Sequence, residues 1–140
     1  MKRIVVGIDG SELGWLALKN AAELARATGA SVQIAHITPP VSQFTAEDFR
    51  AAAGWLEAQE SYSHGLLREA VARVKETGIE VEPVSKLGTP AEALADLAQV
   101  KEVTMVVVGH RGRNLAARLF VGSVADRLVQ LSSKPVLVVR

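Results

Sequence analysis

The chain has 140 residues, 49% of them hydrophobic and 22% charged, which suits one globular core covering residues 1–140 rather than two. Sixteen Lys and Arg against fifteen Asp and Glu leave a net charge of +1, so no general field exists to hold a nucleic acid or an anionic membrane, and neither is expected as a partner. Zero cysteines exclude a disulfide framework, a thiolate nucleophile and Cys-based zinc. The apolar stretch between Arg3 and Asp9 is too short for a signal-peptide core and nowhere are there ~18 continuous apolar residues, so a cytoplasmic protein without a membrane span is expected.

In chain order, Ile4-Val5-Val6-Gly7-Ile8 reads as a buried strand. Ser11 then caps a helix that carries Leu18, Ala21, Ala22 and Ala25 on one face and ends at Gly29. Ser31 to Ile37 is the second strand. A long amphipathic helix is expected from a Thr45-x-x-Asp48 box to Gly78, with Leu67, Ala70, Val71 and Val74 on its apolar stripe. Val81 to Val84 is the third strand. Thr89-Pro90-Ala91-Glu92 combines a cap, a proline at the first helical position and a glutamate at the third, and starts a helix that turns Leu94, Leu97 and Ala98 inward. Thr104 to Val108 and Val136 to Val139 are near-continuous apolar strands. Between them lies a last helix, on which Val121, Val124, Ala125 and Leu128 align.

Strands alternating with helices imply an α/β fold: an open five-stranded parallel sheet with right-handed crossovers and helices on both faces. Two strand orders compete, 2-1-3-4-5 with the third strand central and a Rossmann-like 3-2-1-4-5 with it on an edge. Pro83 decides. A proline cannot donate to a ladder, so the strand that contains it belongs at an edge, and 3-2-1-4-5 is expected. The direction of winding then reverses between the first and fourth strands, and ligands of such sheets sit beyond the carboxyl ends at that reversal. Asp9-Gly10-Ser11 and the loop after Val108 are therefore the segments of interest.

The second of these reads Gly109-His110-Arg111-Gly112, then nine residues from Arg113 to Val121, then Gly122-Ser123. Glycines let backbone N–H groups turn toward a ligand, and a helix N-terminus adds partial positive charge, so phosphate is the natural guest. From Val103 to Ala125 there is no acid, while Arg111, Arg113 and Arg118 supply a local positive field. A structural role is open for each feature: Gly109 and Gly112 suit a tight turn, Ser123-x-x-Asp126 is a capping box, and Asp9 and Ser11 suit a helix start. Trp15, Trp55 and a buried His36 are expected to pack, and His64 to be solvated.

Together Ile4 to Ser11, the Gly109/Gly112/Gly122-Ser123 signature and the terminal Pro135-Val136-Leu137-Val138-Val139 resemble the universal stress protein family, in its ATP-binding branch. The resemblance covers the whole chain. It implies that Gly7, Asp9 and Ile37 border the adenosine, with Ser11 in the same loop, that Val108 and Gly109 lie on the ribose side, and that Gly112, Arg113, Gly122, Ser123 and Val124 meet the phosphates beside Arg111. His110 stands where a serine is common in the family, and Gly7 where some members have Pro or Ala.

Neither a Walker A string nor G-x-G-x-x-G after the first strand occurs. The phosphate loop has no acid, Asp9 is the sole obvious carboxylate at the reversal, and the three histidines are scattered, so neither a catalytic nor a metal-ligating residue is expected. The reading is an ATP-binding regulatory module of the stress response, its ATP accompanied by Mg²⁺ and its protein partner unidentified. The alternative is a slow ATP hydrolase or nucleotide-using transferase. The last strand, Val136 to Val139, has neither charge, proline nor glycine and becomes an open edge in this order; pairing with its own copy in a homodimer is expected.

Overall fold

A computed structural model describes residues 1–40, 49–111 and 122–140. In chain order the elements are β1 (Arg3–Gly7), α1 (Glu12–Thr28), β2 (Ser31–Thr38), α2 (Phe49–Lys75), β3 (Val81–Leu87), α3 (Pro90–Leu97), β4 (Val103–Gly109), α4 (Ser123–Leu131) and β5 (Val136–Val139). The strands form one sheet in the order β3-β2-β1-β4-β5 with every pairing parallel.

Period-two alternation divides the core between the two faces. Ile4, Val6 and Ile8 point to the side on which Ala17, Leu18, Ala21 and Ala25 of α1 and Leu67, Ala70 and Val74 of α2 are buried. Val5, Ala35 and Ile37 point to the other, under Ala91 and Leu94 of α3, its C-cap Ala98, and Ala125 and Leu128 of α4. The small alanine faces of α1 and α3 let these helices lie close on the central strands. Every residue of β2 is buried.

Pro83 sits on the edge strand β3 opposite Ile34, where its missing N–H can face away from the ladder. β3 is longer than its apolar run, because pairing with β2 continues to Thr38 and Leu87. Two caps differ from expectation. Thr89 is the N-cap of α3 but its side chain makes no capping bond, and Glu92 turns instead to Arg127 of α4 at 3.3 Å. Gly122, not Ser123, is the N-cap of α4, so the Ser123-x-x-Asp126 box does not form as such. Thr45, Asp48 and Val121 lie outside the described residues.

Trp15 packs under the Arg73 guanidinium, 4.0 Å from its ring centroid. His36 is buried with Nδ1 2.8 Å from Ser63 Oγ, and the exposed His64 lies 3.9 Å from Glu60. Among the described residues, no helix is long and apolar enough to cross a membrane.

Candidate functional site

The reversal falls between β1 and β4, and a cleft opens at their carboxyl ends. Its walls are apolar: Gly7, Ala35, Ile37 and Val108 come from the strands, Pro90 and Leu94 from α3, and Val124 from α4. Ile8, Asp9, Ser11, Gly14, Gly109 and Arg111 complete it. The cleft holds about 510 Å³ counting its open mouth, of which about 90 Å³ admits the centre of a water molecule. The small share that admits water makes it a narrow slot. The first turns of α1, α3 and α4 all contribute lining, so three helix N-termini give the mouth a partial positive charge suited to an anion.

Asp9 organises one lip. Its Oδ1 accepts the Ser11 N–H at 3.0 Å and the Ser11 hydroxyl at 2.6 Å, and Ser11 Oγ accepts the Gly14 N–H at 3.1 Å. This is an aspartate turn feeding a serine cap, so both residues build the start of α1 while also lining the cleft. Arg111 is the single cation and Asp9 the single carboxylate lining it among the described residues.

The glycines have specific neighbours. A Cβ on Gly7 would lie 2.8 Å from Leu94 Cδ1, so the absence of a side chain makes room for the slot and its leucine wall. A Cβ on Gly109 would lie 2.9 to 3.1 Å from Leu13 Cβ, C and O, which identifies Gly109 as the point where β4 and α1 touch. Gly122 stands just outside the cleft. Its N–H donates to the His110 carbonyl at 2.7 Å, and a Cβ there would lie 2.8 Å from that same oxygen.

Of the residues singled out from the sequence, the structure therefore gathers Gly7, Asp9, Ser11, Ile37, Val108, Gly109, Arg111 and Val124 around one cleft. Gly122 caps α4 and Ser123 is its first residue, while Gly112 and Arg113 lie outside the described residues. Sequence reasoning missed Ala35, Pro90 and Leu94. The strand order contains the signal for the last two: a crossover from edge β3 to β4 must carry α3 over β2 and β1.

A wider groove, about 890 Å³ counting its open mouth, runs between α1 and α2, beside Trp15, Lys19, Arg26, Arg73 and Ile79. It receives nothing from the carboxyl end of a strand, and the narrower slot is the better site because the polar groups converge there. Among the described residues, no group of three or more His, Cys, Asp or Glu is gathered to hold a metal.

The family model described as universal stress protein family matches residues 1–140. A universal stress protein from Lactobacillus plantarum shares the fold, with a TM-score of 0.91 at 23% identity over 99% of this chain and 97% of that one. A universal stress protein solved in complex with cAMP is 33% identical, with a TM-score of 0.74 over 99% of this chain and 97% of its own. A third, from Archaeoglobus fulgidus in complex with dAMP, is 26% identical, with a TM-score of 0.70 over 100% of this chain and 98% of its own.

Because the Gly122 position is crowded by backbone rather than by a flexible side chain, Gly122→Ala should lower the unfolding free energy by about 1–3 kcal/mol. Urea denaturation reads this directly, and a variant as stable as the parent would contradict the packing described for the start of α4.

Proposed function

We propose that this chain, which belongs to the universal stress protein family, is a nucleotide-binding module whose cleft takes an adenine nucleotide and whose occupancy regulates a protein partner. The observation that carries this reading is the apolar slot at the β1/β4 reversal, with Arg111 and three helix N-termini at its mouth. Narrow apolar walls suit a purine ring, while backbone dipoles and a guanidinium suit phosphate. The relatives solved with cAMP and with dAMP support the same class of ligand.

In this reading Gly7, Ile37 and Leu94 border the base, Asp9 and Ser11 the adjoining lip, and Val108 and Gly109 the ribose. Arg111, Gly112, Arg113, Ser123 and Val124 serve the phosphates. Gly122 enters as the residue that lets the end of that loop lie against His110. The ligand proposed is ATP with Mg²⁺. One lining carboxylate is a sparse ligand set, so the ion would be held chiefly by the phosphates, as Mg²⁺ commonly is. The ion would neutralise phosphate charge.

Binding without fast turnover is the favoured mode. Phosphoryl transfer calls for carboxylates on the metal and a group that orients the nucleophile. Asp9 Oδ1 already accepts two hydrogen bonds from Ser11, which assigns that oxygen to holding the turn rather than to activating water. The slow hydrolase or transferase is thus the lesser reading.

A homodimer through β5 is also proposed. His110 N–H donates to the Val139 carbonyl at 2.6 Å and Val106 N–H to the Pro135 carbonyl at 2.9 Å. By the two-residue alternation of a parallel ladder, Val136 and Val138 turn their backbone groups outward. Val129 and Leu131 of α4, the helix that precedes β5, are exposed. Apolar side chains beside outward N–H and C=O groups suit antiparallel pairing with a second copy.

Calorimetric titration with ATP and with AMP should give micromolar to sub-millimolar binding at one site per chain. Gly7→Val, which fills the slot, should weaken it by about tenfold or more. A phosphate-release assay on the same protein should show no sustained turnover near ~1 s⁻¹. Retained affinity in Gly7→Val would remove the base from the slot, and turnover at that rate would favour the enzyme. Sedimentation equilibrium should give twice the chain mass for the parent and a shift toward the monomer in Val138→Pro. A parent that stays monomeric at high micromolar concentration would rule the strand-paired dimer out.

A further inference from the structure

Two consecutive residues of α2 reach inward with polar side chains. Ser63 Oγ lies 2.8 Å from His36 Nδ1 on β2 and 2.8 Å from Ser85 Oγ on β3. His36 and Ser85 are register partners, so their side chains stand on one face, and Ser63, 1% exposed, links the buried His36 to the exposed Ser85 in a three-residue chain. Tyr62 sits beside this chain, its ring edge-on to His36 at 5.6 Å and 68°. Its hydroxyl continues past the histidine and donates to the Asp9 carbonyl at 2.9 Å, across 53 residues of sequence.

The turn is shaped around that hydroxyl. Gly10 has φ +86°, a conformation L side chains rarely adopt, and a Cβ built on it would overlap Tyr62 Oη. The hydroxyl therefore fills the space that a side chain at position 10 would take. The carbonyl it holds belongs to the residue whose carboxylate orders Ser11, and Ser11 in turn caps α1 at Gly14. Asp9, Ser11 and Gly14 all line the cleft, whereas Tyr62 does not.

We propose that Tyr62 is a positioning residue of the cleft: its hydroxyl, delivered by α2, fixes the Asp9 carbonyl and so holds the turn that presents Asp9 and Ser11 to the ligand. The same bond couples the cleft to α2, which Ser63 anchors to β2 and β3. Ordering of the turn by a ligand is then felt by α2, and by reciprocity anything that lifts α2 loosens the ligand. The proposal rests on the nucleotide reading only where a ligand is titrated.

Tyr62→Phe keeps the ring against His36 and deletes the hydroxyl. In the ligand-free protein, amide hydrogen exchange at Ser11 and Gly14 should quicken about three- to tenfold, the scale of one net hydrogen bond. Exchange in β4 and in the second half of α4 should stay as in the parent, which a general loss of stability would not allow. Unchanged exchange at Ser11 and Gly14, or an equal increase across the whole chain, would overturn the proposal. In a second arm, AMP affinity should fall by a similar factor with one site per chain retained, and an unchanged affinity would overturn it. If AMP does not bind the parent, the nucleotide reading fails, and the ligand-free exchange alone decides the role of Tyr62.

Discussion

The end of β4 and the first turn of α1 lie so close that no side chain fits between them, and the width of the cleft depends on this contact. Gly109 meets Leu13 backbone where a Cβ would stand. The constraint follows from the strand order, since β1 and β4 are neighbours whose following helices leave on opposite faces of the sheet. With the two strand ends held together, Asp9 and Arg111 come to one opening, although they are far apart in the chain. The helix that crosses from β3 supplies the remaining wall through Pro90 and Leu94. A wider separation would leave a surface depression in place of a slot.

The polar groups around the slot serve structure and site together. Asp9 orders Ser11 and Ser11 caps α1, so the lip is preorganised before any ligand arrives. Such preorganisation lowers the ordering cost of binding. The same economy explains Gly122, whose N–H is engaged by His110. The two ends of the glycine signature from Gly109 to Ser123 are thereby fastened to each other by a backbone bond. Chain packing against His110 is thus reason enough for a glycine at position 122.

Much of this was legible in the sequence, and the reasons are local. Alternating β-branched runs marked the strands, alanine stripes marked the helix faces that lie closest to the sheet, and Pro83 placed β3 at an edge, which separated two possible strand orders. With that order, Asp9-Gly10-Ser11 and the segment after Val108 had to meet. What escaped depends on distance. Tyr62 touches Asp9 across 53 residues, and nothing in its neighbourhood on an amphipathic helix marks it apart from the packing residues around it. The caps of α3 and α4 escaped for another reason. Thr89 and Ser123 have suitable residues three positions on, but Glu92 is drawn to Arg127 of α4, and α4 is capped one residue earlier, at Gly122. The extension of β3 to Leu87 likewise comes from its ladder with β2, not from its own hydropathy.

The central claim is that the slot is a nucleotide site. Its most direct test is mass spectrometry of the small molecule released on denaturing freshly purified protein, quantified against chain concentration. The account predicts an adenine nucleotide in a substantial fraction of the chains, greatly reduced when Gly7 is replaced by Val. Recovery of an equal amount from that variant, or of a ligand without a purine ring, would contradict it.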